Sequence, residues 1–271
     1  MGNLTPELAA LRDETRDLAK SYGLDFYEVI FELVDHELNM VASYGGFPVR
    51  YPHWRWGMEY EQLTKSYQYG LSKIYELVIN NDPCYAYLMR SNALTEQKLV
   101  MAHVYGHCDF FKNNAWFAHT SRKMMDVLAN HGARIRRYMD RHGQSVVEDF
   151  IDVVQSLDNL IDPYSPYIDR GTDARSEAKE RAASSNLEVQ KIAAKDYMDR
   201  YINPPDFMQA ERKRMEKRQT QAHKFPARPA RDVLKFLCDN APLDTWQQDV
   251  LAMLREEAYY FAPQGMTKIM N

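Results

Sequence analysis

Two histidines four residues apart, His103 and His107, carry the spacing of a metal-gripping pair. On a helix such residues leave the same face one turn apart, so both imidazoles can reach one ion. Neutral imidazole is a common zinc ligand, and a rigid helix arranges two of them before any ion arrives. The spacing also fits two core histidines, each bonded to nearby polar groups. Metallohydrolases of the zincin type place a glutamate directly after the first histidine, as general base. Here that place holds Val104. A base must then come from elsewhere, and the carboxylates of Asp109 and Glu148 are the catalytic candidates.

No third ligand is evident beside the pair. His53, His119 and Asp152 are the secondary candidates for it. Glu148 and Asp152 share a helical face, although surface carboxylates are a simpler account of both. His53 lies between Pro52 and Trp54 in an aromatic loop, where a buried, hydrogen-bonded ring is the plainer reading. Cys108 follows His107 and points about 100° away from it, which makes it a packing residue rather than a co-ligand. Zinc or another divalent metal is the cofactor this pattern suggests. No nucleotide cofactor is expected.

The elements around the pair follow from periodicity. Tyr27, Val29, Phe31 and Leu33 alternate with Glu28 and Glu32, which predicts a half-buried strand over 26–34. Runs at 74–79 and 85–89 are short and β-prone, and Asn80-Asn81-Asp82-Pro83 between them reads as a hairpin turn. Helices are expected from Pro6, through Leu38–Val41, through Tyr60–Tyr67, and over about 95–113. Residues 47–57 look too rich in proline and glycine for regular structure. From Ser121 to Leu160 the pattern is helical, with breaks near Gly132 and Gly143. The last helix follows the cap-like Asp244-x-x-Gln247 and should stop before Pro263. The expected class is α+β, predominantly α-helical, with a small antiparallel sheet packed on the histidine-bearing helix.

Three regions are expected: a sheet-plus-helix core over 1–164, a charged helical or linker arm over 165–226, and C-terminal helices over 227–271. The basic run at 211–218 alternates with Glu211 and Glu216 and has no interleaved aromatics, so it reads as a solvated helix face. A formal net charge of −4 gives no concentrated basic surface, and no nucleic-acid partner is expected. Cys84, Cys108 and Cys238 are odd in number and far apart, which argues for a reducing compartment. The N-terminus lacks an apolar signal core, Pro6 replaces the Ser or Thr of a myristoylation motif, and no apolar run spans a bilayer. A cytoplasmic protein with no transmembrane segment is the expectation, and the sequence specifies no oligomeric state.

Several long strings are more individual than any of these patterns. They include Tyr44-Gly45-Gly46-Phe47-Pro48 with Tyr51-Pro52-His53-Trp54, the stretch from Gly70-Leu71-Ser72-Lys73 through Asp82-Pro83-Cys84-Tyr85, and His103-x-x-Gly106-His107-Cys108-Asp109. Near the end come Asn240-Ala241-Pro242-Leu243, Trp246-Gln247, Tyr260-Phe261-x-Pro263-Gln264 and Met270-Asn271. In this order they resemble the SpoVR (stage V sporulation protein R) family over nearly the whole chain, least between about 165 and 225.

The resemblance implies a bacterial cytoplasmic protein linked to spore cortex formation, or more widely to envelope and stress physiology. It also implies functional partners, a PrkA-type serine kinase and a von Willebrand factor A-like protein. Family members continue after Met-Asn with Glu-Gly-Trp-Ala, whose glutamate would be the third ligand of the histidine pair. On that reading the chain is a truncated, N-terminal portion. Two functions stay in view: a zincin-like metal-dependent hydrolase acting on peptide or peptidoglycan-derived material, and a non-catalytic regulatory or scaffold protein whose histidine pair is structural or vestigial.

Overall fold

The computed structural model describes residues 4–35, 37–47, 49–69, 76–168, 193–195, 197–222 and 231–267. The expected break at Gly70, the start of the 74–79 strand and the end of the chain after Thr267 lie outside them. The architecture is α+β and predominantly helical, with one three-stranded sheet.

Helix α1 (Pro6–Ser21) opens on Thr5, whose hydroxyl accepts from the Leu8 amide, with proline in the first turn. Strand β1 (Val29–Val34) follows, then α2 (Glu37–Ser43) and α3 (Trp54–Gln68). The hairpin is β2 (Glu76–Ile79) and β3 (Cys84–Met89), closed by the 80–83 turn with a cis Asp82–Pro83 bond. Helix α4 (Leu94–Asn113) carries the histidine pair. Helices α5 (Met124–His142) and α6 (Gln144–Gln155) come next. After α7 (Asp199–Ile202) and α8 (Pro205–Ala222), the described chain ends with α9 (Val233–Asn240) and α10 (Thr245–Thr267).

The sheet is mixed rather than antiparallel. Its order is β1-β3-β2, with β1 parallel to β3 and β2 antiparallel to it. A four-residue turn forces β2 and β3 to run oppositely, whereas two helices lie between β1 and the hairpin and leave β1 free to pair parallel. Central β3 is apolar on both faces, as a strand covered on both sides must be. Cys84, Ala86 and Leu88 pack with Val78, Phe31 and Leu33 against α4. Tyr87, Met89 and Ile79 face the other way, toward Val41, Met124, Leu128 and Tyr260. A third cluster, around Trp56, Ile135, Ile151, Leu234 and Leu251, joins α3, α5, α6, α9 and α10.

Other expectations change at their ends. The first strand begins at Val29, since Phe26 leaves the sheet to pack against Tyr105, with ring centres 4.7 Å apart. Helix α3 reaches back into the aromatic loop to Trp54, because His53 caps it through Nδ1, accepting from the Arg55 amide. Gly132 does not break α5. It sits within that helix because a Cβ there would lie 2.7 Å from the Val49 carbonyl oxygen. Gly143 does end the helix, with φ of +93°. Helix α10 continues through Pro263 to Thr267, burial of Tyr260 and Pro263 outweighing the one lost backbone hydrogen bond.

By contacts the chain divides into two units, one made of Met1–Pro163 with Val233–Asn271, the other of Tyr164–Asp232. The second holds α7 and α8, and α8 carries the basic run, with Arg214 3.9 Å from Glu211 one turn away. Among the described residues no helix is long and apolar enough to cross a membrane.

Candidate metal centre

Helix α4 is anchored at its start. Glu96 accepts from the Ala93 amide at 2.7 Å, and the Gln97 side chain donates to the Met89 carbonyl at 2.8 Å, tying the helix to the end of β3. Its buried stripe, Gln97, Val100, Met101, Val104, Tyr105, Cys108 and Phe111, repeats at helical spacing and packs on the sheet. Phe111 and Cys108 are fully buried, and burying a side chain of Phe size contributes about 1.5–3 kcal/mol. His103 and His107 each precede a buried residue, Val104 and Cys108. They therefore sit about 100° round the helix, on the border between packed stripe and solvent.

Strand β2 is an edge of the sheet, and Glu76 shares a face with Val78, the face turned toward α4. The helix border and the sheet edge meet there. Nε2 of His107 lies 2.8 Å from Nε2 of His103, with the rings at 82°. Glu76 Oε1 lies 3.7 Å from His103 Nε2. One ligand atom from each of Glu76, His103 and His107 falls within 4.8 Å of the others, the one such group of three among the described residues.

Two facing Nε2 lone pairs repel unless something positive lies between them. A proton on one ring satisfies the pair, and so does a shared metal ion. Two nitrogens about 2.05 Å from a tetrahedral zinc are about 3.3 Å apart, so the rings need open by only about half an ångström. The set, two imidazoles and a carboxylate, is a familiar zinc donor set. Burial lowers the His107 pKa to about 4, with His103 adding to the effect. Burial also raises the Glu76 carboxyl above its usual range, partly offset by His103. The His103 side chain is 63% exposed, which leaves the centre open on that side.

The other candidates fall elsewhere. Asp109 is a structural acceptor, taking the Asp25 amide at 2.8 Å and the Asn113 side chain at 3.0 Å, and so pinning the loop before β1. His119 is exposed, beyond the short turn of helix at Ala115–Phe117. His53, Glu148 and Asp152 do come together, but where α3 starts against α6. Asp152 accepts from Trp54 Nε1 at 2.8 Å and lies 3.4 Å from His53 Nε2, while Glu148 accepts from Gln144 at 2.9 Å. Burial lowers the His53 pKa, with Asp152 and Glu148 acting against that.

Glu76 is the residue that sequence reasoning missed. One signal pointed to it: an acid at an inward position of an apolar strand, two residues before Val78. Only the pairing of that strand with β3, and of β3 with α4, places it by the histidines. Val104, at the zincin base position, is fully buried in the core.

A family model described as "SpoVR like protein" matches residues 3–271. The chain is 33% identical over 260 residues to the uncharacterized protein YcgB of Escherichia coli (strain K12). That alignment covers 94% of this chain and 49% of YcgB, so the chain spans about half the length of that relative. No solved structure matches.

Proposed function

The chain belongs to the SpoVR family, and from that premise we propose that Glu76, His103 and His107 hold a divalent metal, zinc first, in a hydrolytic centre. The carrying observation is convergence: donor atoms from a strand and a helix within 4.8 Å of one another, beside an exposed His103. Three protein ligands with an open side are the pattern of catalytic rather than structural zinc. A bound zinc would act as a Lewis acid and lower the pKa of its water to about 7. His103 and His107 supply neutral nitrogens, and Glu76 supplies the negative charge that a cation would offset.

The substrate class on this reading is peptide or peptidoglycan-derived material, handled in the cytoplasm in support of envelope or spore cortex assembly. A PrkA-type serine kinase and a von Willebrand factor A-like protein are the partners that reading brings with it. A second reading, a regulatory or scaffold protein with a non-catalytic ion, is favoured by one observation. The place of the usual base is Val104, sealed in the core.

Metal analysis of the purified chain and of His103→Ala, His107→Ala and Glu76→Gln tests the centre. About one metal ion per chain, falling at least tenfold in the histidine variants, is expected. Parent-level metal in both histidine variants would overturn it. Mass spectrometry of peptidoglycan peptides incubated with the metal-loaded protein separates the two readings. Cleavage that chelation abolishes supports the hydrolase, and a loaded protein that leaves every bond intact supports the scaffold.

A further inference from the structure

Helices α3, α6 and α10 enclose a second feature, a cavity of about 630 Å³. That is a common size for a small-molecule site. It exists because α10 turns its smallest residues that way. Ala258, Ala262 and Gly265 follow one another at spacings of four and three, so they share one face of the helix, and all three line the cavity. A Cβ at Gly265 would meet nothing within 4 Å. Trp56, Phe261, Leu254 and Leu234 give the wall its large apolar groups.

The charged groups of the lining are three acids and two arginines, and four of these five cancel in pairs. Arg50 Nη2 donates to Glu257 at 2.5 Å, a pair sealed in the core. Arg55 Nε donates to Glu59 at 3.0 Å. Neither arginine has a charge to spare for an anion. The fifth group is Asp158, just past the end of α6, and among the described residues its carboxylate makes no ion pair. Being both exposed and part of the lining, it marks where the cavity opens.

A lining whose pairs cancel around one unanswered acid is negative, and apolar walls of low dielectric focus that field at the mouth. We propose that the cavity binds a small organic cation, an apolar body carrying one ammonium group. The body covers the wall built on Ala258 and Ala262 and removes it from water. The ammonium lies beside Asp158, where it answers the unpaired charge and stays partly hydrated. This site uses none of the metal-centre residues and stands independently of that proposal.

Calorimetric titration of the chain with tryptamine, with uncharged 3-ethylindole and with indole-3-acetate tests it. Tryptamine should bind about threefold more tightly than 3-ethylindole, the scale of an exposed ion pair, and about tenfold more tightly than the anion. Asp158→Asn keeps the shape of the mouth and should bring tryptamine down to the affinity of 3-ethylindole, which it leaves unchanged. Ala258→Phe fills the cavity and should weaken both about tenfold, with circular dichroism melts identifying the folded variants. Because Asp158 is exposed, its variant remains informative where Ala258→Phe fails to fold. No binding of tryptamine, equal affinity for the three indoles, an undiminished preference for tryptamine in Asp158→Asn, or parent affinity in folded Ala258→Phe would each overturn the proposal.

Discussion

The Glu76–His103–His107 centre and the Arg50–Glu257–His131 trio use similar groups to opposite ends. In both, a carboxylate on one element meets imidazole from another. In the trio the carboxylate is fully enclosed, and burial alone would raise its pKa. Arg50 and then His131 more than offset that, holding the Glu257 carboxyl below its ordinary range. At the centre, burial raises Glu76 and the exposed His103 only partly offsets it. The trio therefore contains its own cation, and the centre does not. An enclosed acid that already has a cation serves cohesion, whereas one without a resident cation at an open edge is where an external ion has most to gain.

The comparison can be broken most decisively at the histidines. Replacing both His103 and His107 with alanine should abolish specific zinc uptake, an effect of at least 100-fold on affinity by competition with a chelating dye, and leave the melting temperature of the metal-free protein nearly unchanged. Glu257→Ala should do the reverse. It strands Arg50 in the core and should destabilise by about 3–5 kcal/mol in denaturant titrations, while zinc stoichiometry stays at the parent value. A loss of zinc in that variant would show that the two regions are not separate.

Smaller effects sharpen the contrast. Gly132→Ala drives a methyl into the Val49 carbonyl, next to Arg50, and should destabilise by about 1–3 kcal/mol in the same titration. Smallest is Asp152→Asn, a change at a part-exposed carboxylate beside the buried His53 ring that should alter stability by less than about 1 kcal/mol, since the amide oxygen can still accept from Trp54. It should also shift a titration. His53 has a lowered pKa because of burial, and Asp152 and Glu148 pull it upward against burial and the nearby Arg55. Removing the Asp152 charge should lower it further, as read from the imidazole proton shifts by NMR. The sign for stability follows. Above about pH 6.5 His53 is neutral in both folded and unfolded chains. Below that the unfolded chain takes the proton first, so stability falls as pH drops toward the folded pKa.

Much of this was open to sequence reading, and the limits are instructive. The α4 helix with its one-turn histidine spacing, the hairpin at 80–83, the caps at Thr5 and Asp244–Gln247 and the break at Gly143 are local, set by residues within one or two turns of each other. Gly132 looked like a break because glycine's local preference says so, yet its reason lies in Val49, more than eighty residues away in the chain. Asp109 and Asp152 looked available for chemistry because a carboxylate in isolation always does. Their partners, the Asp25 amide and Trp54, come from distant segments. Arg50 drew no attention at all, since nothing in its own sequence neighbourhood announces burial beside Glu257.

By itself the chain determined what short-range physics can: its helices and strands, the one-turn spacing of His103 and His107, the valine where a base would stand, and through its long individual strings its membership of the SpoVR family. Tertiary structure alone decided that β1 runs parallel to β3, that Glu76 is the acid beside the histidines, and that Arg50 is sealed against Glu257 at the wall of a cavity. The division has one cause. Local conformation depends on neighbours a few bonds apart, whereas a site depends on which faces are brought together to hide apolar surface, and that is settled only when the whole core closes.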